Sequence, residues 1–309
     1  MTLGDDWEGV SAFVLADVDG LTTVVGVDAV KGRAESLAVV PQQADDGTRT
    51  VSPQIVALAD GRRLVTVPRR GGGSDRRYLL DPRARSLDGM GIGVGPSRVL
   101  PGKTLVGEVA GLPDARTGDT RVLVKAPGDW ATKRQIAVPG TVRFLASDPA
   151  SDAVCLATDR TVFVARLNSG DVEKAAAAGD VAGLACPGGR PVVVVTGRAG
   201  DAGGVALGLR RTVTATTVTV RRGRVDAVAA TATSVVLAVA DGKDTQVVEI
   251  DAGTGEEMHR VRVPDHPASL ALTRTDAGWL LYDEKKATRV DLATGRTTEI
   301  DLPGTLLDE

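Results

Sequence analysis

Only two histidines occur in the 309 residues, His259 and His266, so any imidazole acid–base chemistry must come from this one neighbourhood. His259 lies between Met258 and Arg260 in a stretch that reads as a strand surface. No G-x-S-x-G elbow supplies a nucleophile, and no paired-histidine zinc pattern accompanies the two rings. The runs Asp17-Val18-Asp19-Gly20 and Asp45-Asp46-Gly47 open like calcium loops, but neither has the glutamate that such a loop places at its twelfth position. They read as turns. These residues assign no catalytic, cofactor or metal site.

Two other groups can contribute to binding or bridging. Arg69, Arg70, Arg76 and Arg77 flank the Gly-rich PRRGGGSDRR segment and offer a basic loop to an acidic partner, a solvated loop being the plainer reading. Cys155 and Cys186 are the only cysteines. They are expected in adjacent repeats, where a disulfide or two buried free thiols would each suit an apolar setting.

The elements that carry these residues are strands. Asp241-Gly242 is a tight-turn dipeptide, and Thr245 to Asp251 is rich in β-branched residues. Gly253-Thr254-Gly255 breaks that run, and Arg260-Val261-Arg262-Val263 alternates at period two before Pro264. A short apolar run, Ser269-Leu270-Ala271-Leu272, follows. The pattern recurs: LTTVVGVDAVKGRAESLAVVP, Leu21 to Pro41, lies without a gap over DTQVVEIDAGTGEEMHRVRVP, Asp244 to Pro264. Ala287 to Pro303 is a further copy, with weaker ones from Arg76, Val122 and Val162. Third strands centre on Asp28, Asp81, Lys125, Arg166, a position near Ala206, Asp251 and Asp291, a period of about 44 residues. Seven units of four strands fit the chain. The fold expected is therefore all-β, a seven-bladed β-propeller of four-stranded antiparallel blades, with residues 1–309 as one domain.

Composition agrees. Hydrophobic residues are 42% and aromatics only 3%, so the core must be Val, Ala and Leu between sheets. The formal charge of −3, with 37 basic and 40 acidic residues, gives no basic face for nucleic acid. The longest apolar runs, near Val192 and Val235, are strand-length, so this segment is not expected to insert into a membrane. The Met1-Thr2-Leu3 start lacks a charged n-region, which leaves a cytoplasmic protein or a trimmed piece of an exported one.

The chain resembles the YVTN/quinoprotein-like (WD40-like) propeller repeats, in which an aspartate precedes a T-G turn and a proline-led segment returns to the axis. VVEIDAGTGEEMHRVRVPDHPASLAL carries the resemblance. Quinoprotein dehydrogenases usually place a tryptophan after that turn, where this chain has Glu35, Met258 and Thr298, so no quinone cofactor is expected. Together with its Arg-, Ala- and Val-rich composition, the chain resembles the ectodomain of an actinobacterial surface protein. The resemblance implies a non-enzymatic binding or scaffolding domain that uses loops to hold a protein or cell-envelope ligand, at the cell surface or outside it. The alternative is a propeller hydrolase or lactonase with a metal in its central channel.

Several local expectations follow. Asp28, Asp251 and Asp291 should accept turn amides. Ser11 to Val18 should be the second strand of blade 1, whose missing first strand would be supplied by Thr305 to Asp308. Trp7 should anchor the lead-in, Gly107 to Asp119 should be one long connection, Asp171 to Gly179 an outer strand or ragged loop, and Thr212 to Val220 a Thr/Val strand of blade 5.

Overall fold

Hairpin follows hairpin wherever an Asx-Gly or Thr-Gly turn separates two β-branched runs, and a computed structural model of the chain arranges these strands in seven four-stranded sheets. It describes residues 7–41, 53–67, 75–92, 97–110, 117–127, 130–177, 179–196, 207–211, 216–220, 223–266 and 269–307. In chain order, blade 1 contains Ala12–Val18, Leu21–Asp28 and Arg33–Val39. Blade 2 contains Gln54–Ala57, Arg63–Val67, Arg76–Asp81 and Ser86–Ile92. Blade 3 is Ser97–Pro101, Val106–Ala110, Thr120–Lys125 and Thr132–Val138; blade 4 is Phe144–Ser147, Ala153–Ala157, Thr161–Arg166 and Val172–Ala176. Blade 5 is Asp180–Ala185, Val192–Thr196, Leu207–Arg211 and Thr216–Val220. Blade 6 is Arg224–Ala230, Ser234–Asp241, Asp244–Asp251 and Glu257–Val263, and blade 7 is Ala271–Thr275, Gly278–Tyr282, Lys286–Asp291 and Arg296–Asp301. The class is the β-propeller; among the described residues the only helical element is the single 3-10 turn Pro187–Gly189.

The blades group into two compact units, residues 1–97 with 268–309, and residues 98–267. In the first unit, side chains of blade 1 alternate between two cores, as the period of a strand requires. Leu15, Val24 and Leu37 pack with Trp7 and with Ile55, Val65 and Leu80 of blade 2. Val14, Val25 and Val27 pack with Leu280, Tyr282 and Ile300 of blade 7. The remaining strand of blade 1 is Thr305–Leu306, from the far end of the chain. It runs antiparallel to Ala12–Val18, with Leu306 opposite Ala16 and Thr305 opposite Asp17. Leu307 N–H donates to the Leu15 carbonyl at 2.9 Å, and Leu306 is buried against blade 7. A Cβ on Gly304 would overlap the Asp17 carbonyl oxygen, so only glycine lets the tail approach. Asp308 lies outside the described residues.

In the second unit the second strands are buried on both faces. All five residues of Ala153–Ala157 and seven of the eight in Ser234–Asp241 are buried. Two expectations need correction here. Gly107 to Asp119 is not one long connection, because Val106–Ala110 is a strand paired with Thr120–Lys125. Its apolar pattern is interrupted by Glu108, which is buried and forms a 3.2 Å ion pair with Lys125. Blade 5 also departs from the all-antiparallel scheme. Thr216–Val220 takes the third place and runs parallel to Val192–Thr196, and Leu207–Arg211 lies outside it. Val218 and Val220 are buried and suit the place beside the valine strand, whereas a segment ending Arg210-Arg211 suits an edge. The position near Ala206 is outside the described residues. Val172–Ala176 is the outer strand of blade 4.

The repeated aspartates close their turns as expected. Asp28 Oδ1 accepts the amides of Val30 and Lys31 at 3.1 and 2.9 Å. Asp251 Oδ1 accepts Gly253 and Thr254, and Asp291 Oδ1 accepts Ala293 and Thr294. Asp81 makes the same pair of bonds to Arg83 and Ala84. Asp17 Oδ1 accepts the Gly20 amide at 2.8 Å in a hairpin turn where Asp19 and Gly20 both have positive φ. Its carboxylate is thus engaged as a turn residue; Asp45, Asp46 and Gly47 lie outside the described residues.

Two predictions arise. Deleting residues 304–309 removes a buried leucine and a paired strand, so the unfolding free energy from chemical denaturation should fall by at least about 2 kcal/mol; an unchanged midpoint would show that the tail contributes nothing. The amides of Thr254 and Gly253 hold the Asp251 carboxyl below its ordinary value, and the hydroxyl and amide of Thr294 do the same for Asp291. The stability these depressed values represent is present above the unfolded carboxylate pKa of about 3.9 and is lost as pH falls through the folded values. The unfolding midpoint should therefore drop on acidification below about pH 4, and less steeply in the double variant Asp251→Asn/Asp291→Asn.

Candidate binding site

Three turns that join first to second strands, in blades 4, 5 and 6, converge on one cavity. In blade 4, Asp148-Pro149-Ala150 is an Asx turn in which Asp148 Oδ1 accepts the Ala150 amide at 2.8 Å and the Ser151 amide donates to the Asp148 carbonyl. In blade 5, Cys186-Pro187-Gly188-Gly189 needs both glycines for backbone reasons, with φ of 57° and 76°. A Cβ on Gly189 would also overlap Ser151 Oγ and lie 2.9 Å from the Ala153 Cβ. In blade 6 the Thr231 hydroxyl accepts the amides of Thr233 and Ser234. Each turn is thus closed by its own sequence.

The turns are also tied to one another. Asp148 Oδ2 accepts the Gly188 amide at 2.7 Å. Cys155, in the second strand of blade 4, and Cys186 form a disulfide, with sulfurs 2.01 Å and Cα atoms 5.7 Å apart. Asp152 accepts the amides of Thr104 and Leu105 and the Thr104 hydroxyl. Burial pushes the Asp152 carboxyl up, but the Thr104 hydroxyl and these amides outweigh it and hold it low. Blades 3, 4 and 5 are laced together along this line of turns.

The cavity has a volume of about 320 Å3. Leu145, Ala146, Leu184, Ala185, Val228 and Ala229, with Cys186 and the prolines Pro149 and Pro187, supply its apolar side chains, and polar groups make up about as much of its surface. Ser147, Asp148 and Thr231 supply the polar side chains, and Asp148 is the one ionisable group of the lining.

The catalytic residue types lie elsewhere in arrangements of a different kind. His259 Nδ1 is 3.0 Å from Glu249 Oε2, directly across the strand pair, and Ser234 Oγ donates to Glu249 Oε1 at 2.7 Å. The carboxylate stands between serine and imidazole, so the imidazole does not contact the hydroxyl it would have to deprotonate. Ser234 is moreover buried. His266 is buried, and its carbonyl accepts the Thr245 hydroxyl at 2.6 Å. Among the described residues no group of three or more His, Cys, Asp or Glu side chains comes together.

The arginine segment is divided. Arg69 and Arg70 lie outside the described residues. Arg76 opens the third strand of blade 2 half-buried, and Arg77 is only 5% exposed. Arg77 Nη2 donates to Ser97 Oγ, which donates to the buried Asp75. The expectation that Arg77 presents its charge to a partner is therefore corrected: as the next residue along the strand from Arg76 it points to the opposite face, into the protein. The turn cavity itself was missed in the sequence. Its signal is the phase of Asp148-Pro149, Cys186-Pro187-Gly188-Gly189 and Thr231-Ala232-Thr233, which end the first strands of three successive repeats.

Fold and turns define a β-propeller with a turn-lined cavity. No family model matches the sequence, and no curated protein is significantly similar to it. Solved structures share the fold. Apo AztD from Citrobacter koseri is 13% identical, with a TM-score of 0.55 over 97% of each chain. The dihydro-heme d1 dehydrogenase NirN is 15% identical, with a TM-score of 0.54 over 99% of this chain and 75% of that one. The Pan2 WD40 domain of Neurospora crassa is 10% identical, with a TM-score of 0.52 over 81% of this chain and 78% of that one. At such identities the likeness is one of fold.

The disulfide closes a loop between residues 31 apart in sequence, for which loop-closure entropy gives about 3 to 4 kcal/mol. Cys155→Ala/Cys186→Ala should lose stability on that scale in urea unfolding. A loss under about 1 kcal/mol would mean that the other ties between the turns suffice.

Proposed function

We propose that the chain is a non-enzymatic binding domain of an exported or surface-anchored protein, holding a protein or cell-envelope ligand at its turns. The carrying observation is the cavity of blades 4 to 6, where apolar side chains stand beside polar groups fixed in the turns, the form of a recognition site. Loops held on rigid strands are where a propeller carries recognition. Location outside the cytoplasm is supported by the Cys155–Cys186 bridge, since such bonds persist in oxidising compartments. Fold likeness alone would leave binding and catalysis equally open.

The test is a methyl-detected NMR screen of the whole chain with small amphiphilic fragments, run beside an assay with p-nitrophenyl acetate and a simple lactone. Binding should shift the methyl signals of Leu145, Leu184 and Val228, and Ala232→Trp, which adds bulk at an exposed position of the lining, should abolish the shifts. Turnover of either ester, or shifts confined to other blades, would overturn the reading.

A further inference from the structure

The cavity carries one charge, and that charge selects a ligand. Asp148 is half-buried, and each carboxylate oxygen accepts one backbone amide, Oδ1 from Ala150 at 2.8 Å and Oδ2 from Gly188 at 2.7 Å. Two accepted bonds use about half of a carboxylate's acceptor capacity. Among the described residues no lysine or arginine forms an ion pair with it, and the lining contains no cation. Beside it stand Leu145, Leu184 and Val228, which offer a ligand nothing but apolar contact.

An anionic ligand would set like charges together in a confined space, and a neutral one would shield the carboxylate from water without replacing the lost hydration. A group with N–H donors, a positive charge and a short aliphatic body satisfies both the carboxylate and the apolar side chains, because a charge-assisted hydrogen bond is stronger than one from a neutral donor. Resting on the binding-domain reading above, we propose that this cavity binds a primary alkylammonium group, with Asp148 as its counter-ion and the Leu, Val and Ala walls holding its methylenes. A volume of about 320 Å3 is near the lower end for ligand pockets, which limits the occupant to a small amine or one side chain.

The same chemistry comes from a free amine or from a lysine side chain of a polypeptide, and the experiment separates them. The whole chain would be titrated at pH 7 with n-butylammonium, 1-butanol and butyrate, following the methyl signals of Leu145, Leu184 and Val228. The ammonium should bind about tenfold tighter than the alcohol, butyrate should not shift these signals, and Asp148→Asn should erase the preference for ammonium over alcohol. Asparagine retains an acceptor for a turn amide, and the comparison of the three probes on the unaltered chain stands even if that variant folds poorly. Equal binding of butanol and butylammonium would overturn the ammonium assignment and leave the binding-domain reading intact. Silence from all three probes would overturn both. With ammonium binding established, competition by a short unstructured lysine peptide assigns the source to a polypeptide, and its failure to compete assigns it to a free amine.

Discussion

A four-stranded sheet with apolar side chains on both faces cannot cover itself, and this constraint governs the rest of the molecule. Val14 and Leu15 are adjacent in sequence and both are buried, each in a different core. Neither face of blade 1 would leave water without its neighbour, so the sheet is stable only as one of a series. The same holds for Ala153–Ala157 and Ser234–Asp241, which are buried on both faces. Small β-branched and alanine side chains do most of this stacking, with a few aromatics such as Trp7 and Tyr282 among them. The C-terminal strand answers the same need. Without Thr305–Leu306, the strand Ala12–Val18 would present an unpaired edge beside a core that already has nowhere else to close.

Once strands are committed to stacking, their polar freedom lies at the turns, and the turns use it in two ways. At the hairpins between third and fourth strands, carboxylates such as Asp28, Asp81, Asp251 and Asp291 are consumed by the two amides that follow them. Their charge is spent locally, and they hold the hairpin. At the turn between the first and second strands of blade 4 the carboxylates reach further: Asp148 spans to Gly188 of blade 5, and Asp152 to Thr104 and Leu105 of blade 3. One residue type at two phases of the repeat therefore does two jobs, closing a hairpin in one and joining neighbouring blades in the other.

The repeat was legible because hydrophobic period and turn chemistry agree in the best copies. Leu21 to Pro41 and Asp244 to Pro264 align without a gap, and their aspartates fall at the same structural place. Blade 5 was not legible, because strand order is not written in period-two alternation. Val192–Thr196 accepts a parallel or an antiparallel neighbour equally well, and only the burial of Val218 and Val220 reveals which segment took the third place. Val106–Ala110 was hidden by a buried ion pair, since Glu108 in a short strand looks like a loop residue until Lys125 is seen beside it. Arg77 was misplaced for a related reason: composition counts an arginine as surface, while alternation along Arg76–Asp81 turns it inward to Ser97. The cavity escaped notice because its few reactive side chains, Ser147, Asp148, Thr231 and the bridged Cys186, form no recognisable motif in sequence. What marks it is the meeting of three turns distant in sequence.

That meeting also explains why these turns keep a fixed shape. A cavity lined largely by alanine and proline has few side-chain atoms with which to adapt to a ligand, so its selectivity depends on backbone held in place beforehand. Gly189 packs so closely on Ser151 and Ala153 that no side chain fits between them. The bridge from Cys186 to Cys155 and the bond from Gly188 to Asp148 then fix the same four-residue turn from two sides. The Asp148 carboxylate in the lining is itself one of these ties. Its position is set by the amides it accepts before any ligand arrives, so a bound cation need not order it and loses less of its affinity to entropy. The ties that make the turns rigid are thus the same ones that aim the single charge of the cavity.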